Sequence, residues 1–206
     1  MGTKAREQFD NTSARAIQLA GIHAQLKQTQ SFPPETVDDV MRAAVALCVA
    51  SMDAYFTRRF VEVLIPYLKK NGPNDRLASL LGDAGLDTAE ALRLAAMARP
   101  FRRIRSLVAT HLATYTTQRF NRIDELFLCF GVKNLCGHSQ GWLGRKRLLR
   151  SVELLVERRH AIVHSGDRDK HGNLRPVDDS KLMKRMEDLV KFVHSADALI
   201  AKAIKI

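Results

Sequence analysis

Aromatic residues are scarce, only 6% of a 206-residue chain, too few for the base-stacking platform of a single-strand-binding protein. Three cysteines, Cys48, Cys129 and Cys136, are odd in number and widely spread, so a disulfide framework is not expected. No uncharged apolar run approaches the roughly 18 residues of a membrane span. The best candidate, Ala43 to Met52, is closed off by Arg42 and Asp53. The opening MGTKAREQFD is polar and charged and predicts no signal peptide, and Arg6 stands where a myristoylation pattern needs Ser or Thr. Alternating β-branched runs, internal repeats and low-complexity tracts are all missing. The length suits one core. The expectation is a single cytoplasmic domain over 1–206, away from membranes.

Acidic residues are outnumbered too. With 33 Lys+Arg against 22 Asp+Glu the net charge is +11, which favours a polyanionic partner, either nucleic acid or an acidic membrane surface. The excess is clustered at Arg99, Arg102, Arg103 and Arg105, and again at Arg145, Lys146, Arg147, Arg150, Arg158 and Arg159. Arg158, Arg150 and Lys146 are the expected phosphate contacts, with a solvated basic face as the competing reading.

What is present is helical period. From Val37, apolar residues recur at Met41, Val45, Cys48, Met52, Tyr55, Phe56, Phe60, Val63 and Tyr67, one buried stripe of a long amphipathic helix. SFPPET at 31–36 starts it. NGPND at 71–75 ends it, unless Pro66 kinks or closes it sooner. The segment from Asp179 repeats the rhythm through Leu182, Met186, Leu189, Val193, Ala196 and Ile200, capped by Asp179 or Ser180. Further helices are expected over 4–29, 76–82, from Asp87 or Thr88 toward Met97, from Pro100 through Leu112, over 122–130 and over 145–164. GVKNLCGHSQGWLG at 131–144 reads as a glycine-rich connector. The fold class is all-α, a helical bundle with long antiparallel core helices; its core spans about 38–200, with the helix 4–29 packed on it.

The most informative segment is LLRSVELLVERRHAIVHSGDRD, residues 148–169. Its apolar stripe carries Arg159 and His164 at its end, and Gly166 is a natural left-handed stop. The last turn is where a helix dipole favours a cation. Five helical residues advance about 500°, so Arg159 and His164 project roughly 140° apart. Meeting at one point then requires the helix end to unwind, or a second copy of the segment. A structural reading competes, in which Arg159 pairs with Asp167 and His164 caps carbonyls.

Metal and phosphate-loop readings fare worse. His160 and His164 form an HxxxH pair, but Ala161 replaces the glutamate a zinc protease needs, and no third ligand is evident. Cys129, Cys136 and His138 fit no zinc spacing. Gly137, Gly141 and Gly144 lack the Walker ending. No metal or other cofactor is expected. The polar loop 165–179 either contacts substrate or is a mobile connector.

RRHAIVHSGD, residues 158–167, resembles the R-x4–6-H signature of the HEPN superfamily, and is most similar to its prokaryotic RiboL-PSP-HEPN branch, where an RRN-x-x-x-HG type run closes a helix. AAVALCVASMDAYFTRRF upstream resembles that branch's first core helix, and FGVKNL its connector. The resemblance implies a metal-independent endoribonuclease acting as a homodimer, a toxin or defence effector restrained by an antitoxin or other regulatory protein. It implies catalytic roles for Arg159 and His164, and Asp53 as an acid that steadies the arginine. Where relatives carry Asn after the arginine this chain has His160, which orients the phosphate, shares proton transfer or replaces a structural amide. Cleavage through the 2′-OH of RNA needs a proton acceptor, a proton donor and a cation. An imidazole serves as acid or base, and a guanidinium fork strengthens its hold as charge builds on phosphate. Two readings compete with this one: a catalytically silent HEPN-like module that binds nucleic acid or protein, and a basic adaptor at an anionic surface.

Overall fold

The longest helix is also the most deeply buried, and the rest of the chain is arranged around it. A computed structural model describes residues 3–204, which form nine helices and no strand among the described residues. They are α1 (Lys4–Thr29), α2 (Pro34–Asn71), α3 (Asp75–Asp83), α4 (Thr88–Ala95), α5 (Pro100–Leu112), α6 (Phe120–Leu128), α7 (Leu135–Trp142), α8 (Leu148–Ser165) and α9 (Asp179–Ile204). The all-α bundle expected from periodicity is the observed architecture.

Ion pairs fix the helix directions. Arg6 reaches Asp197, His194 reaches Asp10, and Lys27 reaches Asp179, so α1 runs antiparallel to α9. Ala5 N–H donates to Glu62, and His23 meets Asp38, so α1 is antiparallel to α2 as well. α8 also opposes α2, because Arg42 meets Asp167 at one end while Asp53 lies beside the Gln118–Arg159 contact at the other. Between these helices lies one contiguous core running from Ala5 to Ile204, with Phe56, Phe60, Phe127 and Phe192 at its centre. By length and composition α2 carries a stretch apolar enough to cross a membrane, and 56% of that stretch is buried inside the bundle.

α2 ends at Asn71, where NGPND was expected to end it, and runs past Pro66; a proline removes one hydrogen bond, and the buried Phe60, Val63 and Leu64 hold the preceding turns in place. Two expectations need correction. The glycine-rich stretch 131–144 is not a plain connector, since it contains α7. Gly137 and Gly141 cost a helix about 1 kcal/mol each relative to Ala. Burial of Leu135 and Cys136, and the Cys136 N–H donated to Asp124 at 2.9 Å, offset that. A Cβ at Gly137 would meet the exposed Asn134 side chain at 2.5 Å, so that side chain would have to move. Finally, α9 is capped by Asp178, which accepts from Lys181 N–H at 3.1 Å, and not by Asp179 or Ser180. All three cysteines are free and buried. Burial pushes the Cys48 thiol up to about 12 and raises that of Cys136, so both stay protonated.

Candidate functional site

Leu148, Val152 and Leu155 are buried on the inner stripe of α8, and the next position in that rhythm is Arg159. Spacing alone therefore turns this arginine inward. Its side chain is partly buried, Nε has no partner, and its recorded hydrogen bond is Nη1 to the Gln118 carbonyl oxygen at 3.4 Å. No carboxylate pairs with it among the described residues. Gln118 is itself held from behind. Asp53 accepts from the Gln118 amide at 2.9 Å, from Thr117 N–H at 2.6 Å and from the Thr117 hydroxyl at 2.7 Å. Asp53 thus steadies Arg159 through the Gln118 amide, without touching it.

One residue earlier the surroundings reverse. Arg158 donates to Asp167 at 2.5 Å and to the Arg175 and Pro176 carbonyls at 3.2 Å. Asp167 is fully buried and also accepts from Arg42 Nε at 2.8 Å. It is Arg158 and Arg42 that pair with Asp167, not Arg159. Gly166 and Asp167 both adopt left-handed backbone, each with φ 59°. For a non-glycine residue that costs about 1 kcal/mol or more, and the two arginines hold it. Beyond them the loop is built, not loose. Asp169 N–H donates to Asn173 O at 2.8 Å, Arg175 N–H to Asp167 O at 2.9 Å, and the Asp169 carboxylate accepts the His171 and Asn173 amides.

His160 and His164 are exposed one turn apart on α8, their ring centroids 4.2 Å apart and tilted by 46°. Both border a groove of about 880 Å³, together with Arg159 and Gln118. Across it stand Arg119 and Arg122 at the start of α6. α8 remains helical through Ser165, so its end does not unwind, and Arg159 and His164 both border this one groove. Among the described residues no three His, Cys, Asp or Glu side chains converge as metal ligands do.

The two remaining expected phosphate contacts lie elsewhere. Arg150 is saturated by Glu153 at 2.7 Å and Glu157 at 3.2 Å, and at 1.5 Å per residue it is about 21 Å along the axis from His164. Lys146 is exposed ahead of α8 and does not border the groove. The residues that sequence reasoning missed are Gln118, Arg119 and Arg122. A signal for them exists: residues 91–123 contain seven arginines and no acidic residue, which is the charge track a polyanion follows.

Comparison with protein families, with curated proteins and with solved structures finds no match to this chain.

Proposed function

We propose that this protein is a metal-independent endoribonuclease of HEPN type, a homodimeric toxin or defence effector held in check by a partner protein. The observation that carries the reading is one groove bordered by an arginine that pairs with no carboxylate among the described residues and by two adjacent, exposed imidazoles, with further arginines along it. In this reading RNA lies along the groove with its scissile phosphate at Arg159. One imidazole takes the proton from the 2′-OH as that oxygen attacks phosphorus. The other gives a proton to the departing 5′ oxygen, leaving a 2′,3′-cyclic phosphate and a free 5′-OH. Arg159 stabilises the charge that builds on the phosphorane. His160 then acts as a proton-transfer group in the position where the resembled family has Asn, so that one chain carries both acid and base. The basic side chains Arg119 and Arg122 hold the flanking backbone.

The test is cleavage of end-labelled tRNA and mRNA in EDTA by wild type, His164→Ala and His160→Ala. Cleavage by wild type alone, leaving cyclic phosphate ends, is the expected result. Activity that vanishes in EDTA would overturn the metal-independent reading. Tight RNA binding without cleavage would replace it by the silent binding module. Sedimentation of the purified chain tests the dimer.

A further inference from the structure

A second concavity, of about 670 Å³, opens between α1, α2 and α5. It shares Arg159 and Gln118 with the histidine groove, so these two side chains form the wall between the two spaces. Its lining divides by chemistry. Ala50 and Ala54 of α2, Ala109 of α5 and Ala113 just after it all line the cavity, and these methyl-sized side chains give it an apolar part. Arg58 and Arg105 line it as well, both exposed and without a recorded partner among the described residues. The carboxylates nearby are already engaged: Asp53 by Thr117 and Gln118, Glu62 by the Ala5 N–H and Arg59. A flat apolar-tolerant body carrying anionic groups matches this arrangement, and within an RNA strand that is one nucleoside between two phosphates.

We infer that this cavity is a subsite for the nucleotide next to the scissile phosphate. Its base rests on the alanines and its outer phosphate meets Arg58 and Arg105, while Arg159 holds the inner one. The inference rests on the ribonuclease reading above for the position of the scissile phosphate, but not for binding itself. It makes Arg159 a shared contact of two consecutive spaces on one strand. It also gives the acid-free segment 91–123 a use at both ends, through Arg105 here and Arg119 and Arg122 in the groove.

The test compares binding of a 2′-O-methyl dinucleotide, which has one phosphate and cannot be cleaved, with trinucleotides extended by one nucleotide on the 5′ or the 3′ side. On wild type, one of the two extended probes gains roughly tenfold in affinity, the scale of one charge-assisted contact. The Arg58→Ala/Arg105→Ala variant loses that gain and keeps its affinity for the dinucleotide. Ala109 is exposed and lines the cavity, so Ala109→Phe fills the apolar part without altering charge and also removes the gain. A gain that survives both variants overturns the subsite, as does wild type binding all probes alike or none. A clear gain with no cleavage of any RNA keeps the subsite and sinks the catalytic reading; cleavage without the gain does the reverse.

Discussion

Arg158 and Arg159 are neighbours in the chain with opposite surroundings. The first is closed: Asp167 and two carbonyls take its guanidinium, and Arg42 approaches the same carboxylate from α2. The second is open, with one long hydrogen bond to a neutral amide and cavities on both sides. A paired arginine contributes to the fold and has little charge left for a ligand. An unpaired one, tied to an amide, keeps its charge and still has a defined place. The difference comes from helix geometry, since a step of one residue turns the side chain by about 100°.

The sharpest way to break the comparison is to empty the closed cluster. Asp167→Ala takes the buried carboxylate away from both Arg158 and Arg42, leaving Arg42 only the exposed Asp39 and the Arg175 carbonyl, and should cost about 3 kcal/mol in denaturant unfolding. Cys48 offers an independent check. Burial holds its thiol up at about 12, so it reacts with alkylating agents only when the core opens. In Asp167→Ala its alkylation should accelerate roughly 10²-fold, the same free energy read as an opening equilibrium. Removing the open arginine should do the opposite. Arg159→Ala is expected to lower cleavage roughly 10²–10³-fold while leaving the unfolding midpoint nearly in place.

A finer distinction comes from Gln118→Ala, which frees the Arg159 side chain without removing it. A loss of roughly ten- to hundredfold in kcat is expected, the scale of a misplaced group. The double variant with Arg159→Ala should be no worse than Arg159→Ala alone, because the two act as one unit. The smallest effect belongs to Arg150→Ala. Arg150 neutralises Glu153 and Glu157, which stand on the edge of the groove. Its loss should weaken RNA binding by less than about threefold and only at low salt.

Where backbone chemistry is local, the sequence is easy to read. Pro34, Asp87, Pro100 and Gly166 mark the ends of α2, α4, α5 and α8 where the structure has them, because a cap acts within one turn of its own position. α7 was hidden because its stabilisation is remote: glycine content argues against a helix, and burial against α6 and α9 decides for one. The site divides the same way. Arg159, His160 and His164 stand out on one helix. Nothing local separates Arg158 from Arg159, since their roles are set by Arg42 on α2 and by Gln118 before α6. Asp53 was legible as a support but not as one that works through a glutamine.

The link between Arg42 and Asp167 spans 125 residues of chain. Closing so long a loop is entropically expensive and is repaid only after non-local helices have docked. The backbone reversal that ends α8 is held locally by Arg158, nine residues away, and gains its second arginine only when α2 and α8 lie side by side. The end of the helix that carries His164 thus reaches its full set of contacts only once a distant part of the chain has docked on it.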